Sequence, residues 1–271
     1  MKSFLDIQPP FIRAVRRLTK DKLYLGTTNQ NLNGLLLKTP RISFLEGLRV
    51  YASIFPVLEW KTDLNTPLEE HQFESLIGSP LEIISFRIQA GSLLRRIDSA
   101  SWNTLSTLLV ESKSRIKIIV ILSGDSTFAY SEKTLQELLD IREQLYPLPV
   151  FFEFENRSWK NPSSLKIFHS LEVGIIQRDM PVLSGFQVAI PNTNPKDFYL
   201  RLLGRNSDSW FSKESSQKYH YDYTRAELLQ IINGREVGKL DFDRSFVIAA
   251  HHTPEQAVSN LLEFAHIFPI D

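Results

Sequence analysis

The sequence predicts a single TIM-like (β/α)8 barrel, an α/β fold. Short apolar, β-branched runs alternate with helix-like segments along most of the chain. These runs are continuous rather than alternating, which is typical of parallel strands buried on both faces. Most of them end on a charged or imidazole side chain, so polar groups are expected at the carboxyl ends of the strands, where such barrels carry their sites. An open doubly wound sheet is the alternative arrangement of the same elements.

The first strand is predicted at residues 23–27. Ser43 is placed to cap a helix that runs to about residue 55, because apolar residues then recur on one helical face. The second strand follows at residues 57–61. A helix is expected from about Pro67, since proline suits the first helical turn.

The middle of the chain continues the alternation. The third strand ends near Arg87, and the next helix covers residues 101–112. The fourth strand covers residues 116–122, and Ser131 is placed to cap a helix that reaches about residue 145. The remaining elements up to the sixth strand are a strand at 149–155, a helix at 162–171 and a strand at 173–179.

The last third of the chain contains one irregular segment. Residues 180–195 are rich in Pro, Gly and Asn and show no helical period, so the helix after the sixth strand is expected to be irregular or missing. The final helix has the clearest cap, with Thr253 before a first-turn proline and Gln256 in capping-box position. The other predicted elements are strands at 198–203 and 245–250 and a helix at 224–233.

Residues 23–271 therefore form one predicted barrel domain, and residues 1–22 form an N-terminal extension. In the extension, Ile12, Val15 and Leu18 are spaced as one face of a short helix, with basic residues on the other side. We interpret this segment as a solvated helix before the barrel, and a binding arm is the alternative.

The composition excludes several classes of function. Hydrophobic residues make up 42% of the 271 residues, which is enough for one large core. Lysine plus arginine and aspartate plus glutamate number 31 each, so no global field attracts nucleic acid, although a local basic patch is compatible with this balance. Because cysteine is absent, disulfides, thiolate catalysis and cysteine zinc sites are excluded.

No segment predicts a membrane or a cofactor. The longest uninterrupted apolar run, residues 118–122, is too short to cross a bilayer, and no signal-peptide pattern is present. Phosphate-loop, dinucleotide-binding and nucleophile-elbow motifs are also absent. We therefore expect a cytoplasmic protein without a cofactor, and the sequence does not indicate its oligomeric state.

Several segments of the chain match the motifs of a known family. They are residues 23–27, 49–55 with 57–59, 152–154 with Ser158 and Trp159, Asp179, 199–205, Tyr221, and Glu227 with Leu228. In these segments the chain resembles the YecE-like family, known as domain of unknown function 72. Together they cover about residues 23–268 in the order and spacing of the family. The resemblance implies a TIM-barrel-like fold with a pocket, and it implies no reaction because the family has no securely assigned activity.

The chain also departs from the family pattern, which indicates a divergent member. Glu155 replaces an arginine, and Leu203 replaces a histidine before Gly-Arg. The other departures are Lys61 for asparagine, Arg87 for lysine, and His251 with His252 for an Asn-Asn pair. Changes at several rim positions are consistent with an altered or lost activity.

Carboxylates at the strand ends are the candidate catalytic residues. Glu59, Glu153 and Asp179 come from three strands, and Glu155 shares a strand face with Glu153. If their environments differ, such groups can perform acid/base chemistry. The alternative is an internal ion-pair network with neighbouring arginines, which are Arg87, Arg178 and Arg201.

A second group predicts a site for a small anionic, phosphorylated ligand. Barrels often bind phosphate near strands seven and eight, where free N–H groups begin a helix and arginine can bind bidentately. The candidate ligand-binding residues are Arg201, Gly204, Arg205, His251, Arg87 and Tyr221. The alternative is that Gly204 serves only a turn and Thr253 is only a helix cap.

Two further functions remain open. A metal-dependent barrel acting on phosphodiesters or nucleic acid would use Glu59, Glu153, Asp179 and His251, although no metal-ligand spacing supports it. A non-catalytic binding or scaffold protein would have its charges mutually saturated at the barrel mouth. Aromatic residues between 210 and 223 either form a stacking surface or, as we favour, pack down over the barrel.

Overall fold

The computed structural model describes residues 9–37, 42–62, 64, 68–90, 100–183, 190–234 and 242–269. Its centre is one sheet of parallel strands, which confirms the predicted barrel. The strands are β1 (Leu23–Thr28), β2 (Val57–Thr62), β3 (Ile83–Gln89), β4 (Lys117–Gly124), β5 (Val150–Phe154), β6 (Gly174–Ile175), β7 (Gln177–Asp179), β8 (Asp197–Leu202) and β9 (Arg244–Ala249).

The sheet closes on itself through a divided strand. Its order is β6-β5-β4-β3-β2-β1-β9-β8-β7, with β6 paired to β5 and β7 paired to β8. Only Ile176 separates β6 from β7, and its N–H donates to the Phe152 carbonyl at 2.9 Å. The predicted sixth strand is therefore two short segments that together complete a nearly closed barrel, and the open-sheet alternative is wrong.

Helices surround the barrel, and all except α2 and the short α8 lie close to predicted positions. They are α1 (Pro9–Lys20), α2 (Asn29–Leu37), α3 (Phe44–Ala52), α4 (Glu70–Ile77), α5 (Ala100–Glu111), α6 (Glu132–Gln144), α7 (Pro162–Ser170), α8 (Ser215–Lys218), α9 (Arg225–Gly234) and α10 (Pro254–Ile267). The caps at Ser43, Ser131 and Thr253 accept backbone N–H groups as predicted. Pro67, the predicted start of α4, lies outside the described residues.

Two segments qualify the sequence prediction. Helix α2 was not predicted, because its Asn- and Gly-containing sequence has low helix propensity; Asn31 anchors it by donating to the Ala249 carbonyl at 3.3 Å. Between β7 and β8, the described residues 180–183 and 190–196 contain no helix, as predicted. There the Asn192 and Asn194 side chains bond to nearby backbone groups instead.

The two largest parts of the core lie outside and inside the sheet, and a smaller third cluster contains Met180, Leu203, Trp210 and Ala250. The outer part lies between the strands and the helices and includes Val15 and Leu18 of α1. The inner part fills the barrel with the side chains of Tyr24, Val57, Ile83, Ile119, Ile121, Phe151, Ile176, Tyr199, Phe246 and Ile248. Because strand side chains alternate, the inward positions nearer the carboxyl ends of the strands include those of Glu59, Arg87, Glu153, Arg178 and Arg201.

Candidate functional site

Four charged side chains form a connected network directly above the inner apolar core. The Glu153 carboxylate accepts from Arg201 Nη1 at 2.7 Å through Oε1 and from Arg87 Nε at 2.8 Å through Oε2. Arg201 Nη2 also lies 3.0 Å from Glu59 Oε1. Both carboxylates are almost fully buried, with 1% and 3% of the Glu59 and Glu153 side chains exposed. The ion-pair network that the sequence left as an alternative is therefore present.

Tyr199 connects this network to the apolar interior. Its hydroxyl donates to Glu59 Oε2 at 3.1 Å, and its ring packs within the inner core against Phe151 and Phe246. Burial and the neighbouring Glu59 carboxylate raise the pKa of the Tyr199 hydroxyl well above its usual value. The hydroxyl therefore stays protonated and acts as a fixed donor beneath the network.

The network holds its charges in place. Burial on its own would raise the pKa of the Glu153 carboxyl, but Arg201, Arg87 and Arg178 together lower it well below its usual value. Burial opposes the charge of Arg201 as well, yet Glu153 and Glu59 raise the pKa of its guanidinium. Glu153 is consequently an ionised group with low proton affinity, which suits orientation of arginines better than proton transfer.

Arg87 of this network and the neighbouring Arg178 reach the mouth of the barrel. The side chains of Arg87 and Arg178 are 22% and 15% exposed, whereas the carboxylates beneath them are not. Arg178 donates to the Phe154 carbonyl at 2.9 Å, and its Nη1 is 3.7 Å from the half-exposed Glu155 carboxylate. Exposed Lys61 lies beside Arg87 in the strand register and extends this positive edge.

Asp179 belongs to a different cluster from Glu59 and Glu153. Arg205 binds it bidentately, with Nε and Nη2 each 2.8 Å from one carboxylate oxygen, and the Tyr223 hydroxyl donates to Oδ1 at 2.8 Å. Asp179 follows Arg178 on a strand, so its side chain leaves the opposite face of the sheet. The expected grouping of three carboxylates in one site is thus corrected to two clusters.

Gly204 and Tyr221 support this second cluster. Gly204 has a φ of 85°, and a Cβ there would lie 2.5 Å from Tyr221 Cβ, so glycine is required. Its N–H donates to the Tyr223 hydroxyl at 3.1 Å and is not free for an anion from solution. Burial and Glu227, which accepts its hydrogen bond, raise the pKa of Tyr221 to about 12.

His251 is buried beside Tyr223 and is neutral. Asn260 Oδ1 accepts from the Tyr223 N–H, so its amide nitrogen is the group that faces His251 Nε2 at 3.3 Å. Nε2 is therefore the acceptor, and the ring proton resides on Nδ1. Burial lowers the pKa of His251 to about 4, against the opposing effect of Asp222 and Asp179.

A small cavity of about 270 Å³ opens beside the second cluster. Asp179 and Arg205 form its polar wall, and Arg205 Nη1 also donates to Gln230 at 2.9 Å. The rest of the lining is Met180, Val182, Ile231 and Gly234. Arg205 is held by Asp179, and the hydrogen bonds that it donates to this carboxylate raise the pKa of its guanidinium.

The described residues do not gather three His, Asp or Glu side chains into a group able to hold a metal. The set proposed for the metal-dependent alternative is split, because Glu59 and Glu153 contact Arg201 whereas Asp179 contacts Arg205.

Most aromatic residues near the mouth pack inward, since Trp210 and Tyr223 are buried, while Phe211 is exposed. Among the described helices, none is long and apolar enough to cross a membrane.

Sequence reasoning missed three residues of these clusters. Tyr199 could have been found, because it lies two positions before Arg201 on the same strand face. Tyr223 was noted only as an aromatic residue, and its bond to Asp179 depends on a loop that carries no strand signal. Asn260 lies in α10 among apolar positions and gave no signal.

The chain is similar in fold to proteins of known structure. Solved structures of DUF72 family proteins have the same fold. A protein from Thermotoga maritima MSB8 has a TM-score of 0.73 at 18% identity, covering 90% of this chain and 98% of its own. One from Enterococcus faecalis V583 has a TM-score of 0.71 at 19% identity, covering 92% and 96%. No curated protein matches the chain.

These structural similarities show the fold alone, because the identities are low. The family is shown by sequence, since the family model described as "Protein of unknown function DUF72" matches residues 100–270, which is more than half of the chain. The resemblance to the YecE-like family noted from the sequence is therefore confirmed. The chain belongs to the DUF72 family.

Proposed function

We propose that the mouth of the barrel binds a small anionic, phosphorylated ligand through Arg87 and Arg178. The observation that carries this proposal is the position of Arg178, whose ion-pair partner among the described residues is half-exposed Glu155 at 3.7 Å. That distance is too long for a hydrogen bond, so the guanidinium keeps donors for a ligand. A phosphate oxygen accepts such donors strongly and bidentately.

The charge of the cluster supports an anion. Arg87, Arg178 and Arg201 outnumber the two buried carboxylates, and Lys61 adds a further positive charge at the edge, against one half-exposed Glu155. The excess positive charge lies on the solvent side, because Glu59, Glu153 and Arg201 are the buried members. The two other arginines are partly exposed, and Lys61 is exposed. Arg201 adds a buried Nε donor that has no partner among the described residues.

This proposal moves the ligand away from the rim of the seventh and eighth strands. Arg205 is bound bidentately by Asp179, and the Gly204 N–H is bound by Tyr223. His251 is neutral and buried, so it offers no charge to an anion. In the proposal, Glu59 and Glu153 orient arginines rather than transfer protons, and no reaction is assigned.

A non-catalytic scaffold is the second candidate, favoured by the saturation of the Asp179 cluster. The Asp179 carboxylate accepts from Arg205 and from the Tyr223 hydroxyl, and that hydroxyl in turn accepts from the Gly204 N–H. A scaffold protein would bind no small phosphate at the mouth. The same titration therefore separates the two candidates.

The test is calorimetric titration with inorganic phosphate and glycerol 3-phosphate, with glycerol as the uncharged control. We expect both phosphates to bind, and Arg178→Gln to weaken binding at least about tenfold, because one charge-assisted bidentate contact is lost. Arg225→Gln removes the same charge from an exposed pair with Glu263 and should leave affinity unchanged. Equal weakening by both variants, or no phosphate binding at all, would refute the proposal.

A further inference from the structure

Helix α1 presents a row of basic side chains to solvent. Arg13, Arg16, Arg17 and Lys20 are all exposed and lie at positions i, i+3, i+4 and i+7. Residues at this spacing share one face of a helix. We call these four residues the α1 cation stripe; at about 1.5 Å per residue it is roughly 10 Å long.

The apolar side of α1 packs on the barrel, so the stripe on the opposite side faces solvent. Val15 and Leu18 are fully buried in the outer core, and the Phe11 ring contacts that of His266 on α10 at 6.1 Å. The helix is therefore seated on the barrel by its apolar side. Its basic side cannot turn inward without exposing those residues to water.

The members of the stripe are not ion-paired with the residues that the structure describes. None of its four members forms an ion pair there, and Arg16 donates only to the Ser53 carbonyl, at 3.4 Å. Exposed Arg49 lies one helical turn before Ser53, so it adds positive charge on the same side. In a chain whose formal net charge is zero, this concentration of unpaired cations is local.

We propose that the α1 cation stripe binds the phosphate backbone of a nucleic-acid duplex. A duplex is a linear polyanion with about one charge per 1.7 Å of its axis, and a straight row of four cations matches that shape. Three of the four are arginines, whose guanidinium groups bind phosphate bidentately. The contacts are to the backbone, so binding is independent of sequence.

The burial of the apolar side distinguishes this partner from a lipid bilayer. Helices that bind membrane surfaces insert an apolar face among the lipid chains. On α1 that face is already occupied by the barrel core, through Val15 and Leu18. The stripe can therefore bind a partner only by electrostatic attraction, which favours the partner with the highest linear charge density, the duplex.

The first measurement uses the unmodified chain and a fluorescent 20-base-pair DNA duplex of mixed sequence. The logarithm of the association constant should fall with the logarithm of salt concentration with a slope of about −3 to −4, because about four phosphate contacts each release a counterion. A slope near zero, or no binding at 50 mM salt, would overturn the proposal.

The second measurement locates the contact. A variant with glutamine at positions 13, 16, 17 and 20 keeps helix propensity and should bind the duplex at least about tenfold more weakly. The matched control replaces exposed Lys113, Lys117, Lys133 and Lys166 with glutamine, which removes the same charge from other elements. Equal weakening by both variants would overturn the proposal, since it would reflect net charge alone.

Vesicles test the competing partner. With vesicles containing about one-third phosphatidylserine, we expect at most weak binding and no competition with the duplex. Tight vesicle binding by a chain that does not bind the duplex would overturn the nucleic-acid assignment. Unchanged phosphate binding at the barrel mouth in the glutamine variant would show that the two sites are independent.

Discussion

The two charged clusters at the carboxyl ends of the strands use the same residue types with opposite results. In the mouth network, the carboxylates of Glu59 and Glu153 are buried beneath partly exposed arginines. In the second cluster, the Asp179 carboxylate accepts two hydrogen bonds from Arg205 and one from the Tyr223 hydroxyl. The carboxylate is the buried member in both clusters, so what distinguishes them is the arginine: all three nitrogens of Arg205 are hydrogen-bonded, whereas Arg178 keeps a longer contact of 3.7 Å to Glu155.

The largest effect is expected from Arg201→Met in the mouth network. The substitution leaves Glu59 and Glu153 buried close together without their shared cation. Breaking a buried pair in this way costs about 3–5 kcal/mol of unfolding free energy. Urea denaturation measures this directly, and a loss below about 1 kcal/mol would mean that the network does not hold the barrel mouth.

The next effect concerns His251 and acid. The pKa of His251 is lowered from an ordinary 6.5 to about 4 in the folded chain. At pH values between 4 and 6.5, the unfolded chain therefore binds a proton at His251 that the folded chain does not bind. Stability contributed by neutral His251 is complete above pH 6.5 and falls by about 3 kcal/mol as the pH approaches 4. His251→Asn should flatten this part of the stability profile. An unchanged profile would contradict burial of the neutral ring.

Gly204→Ala tests the backbone that carries the second cluster. Its φ of 85° disfavours a side chain, and the added Cβ meets Tyr221 Cβ at 2.5 Å. We expect a loss of about 2 kcal/mol in unfolding free energy. Gly234→Ala is the control, because a Cβ there meets nothing within 4 Å. Equal effects of the two substitutions would contradict this requirement for glycine.

The smallest effect on stability is expected from Asp179→Asn, which also tests whether the two clusters function independently. Asp179→Asn removes one charge-assisted pair, but Arg205 is partly exposed and can be rehydrated, so we expect a loss of about 1–2 kcal/mol. Phosphate affinity at the mouth should not change. If the affinity fell as far as it does in Arg178→Gln, the two clusters would form one site.

The fold was predictable because its signals are local and repeated. Continuous apolar runs identified the strands, and capping residues such as Ser43 and Thr253 identified helix starts. The break at Ile176 was not predictable, since it depends on which neighbour each half-strand pairs with. Helix α2 was missed because tertiary contacts, such as that of Asn31 with Ala249, outweigh its weak propensity.

The candidate sites were predictable as a set of residue types, and their grouping was not. The sequence identified the charged strand ends, but one position separates Arg178, which faces the barrel interior, from Asp179, which does not. The bond between Asp179 and Tyr223 joins residues 44 positions apart through a loop. Such contacts depend on how distant segments pack together, so no local sequence pattern predicts them.

The most direct test is a crystal structure of the chain soaked in phosphate. We expect one anion at the barrel mouth, with oxygen atoms within about 3 Å of the guanidinium nitrogens of both Arg87 and Arg178, and its loss in Arg178→Gln. A phosphate bound instead at Arg205, with the bidentate bond to Asp179 broken, would contradict the account. So would a mouth that stays without an anion under the same soak.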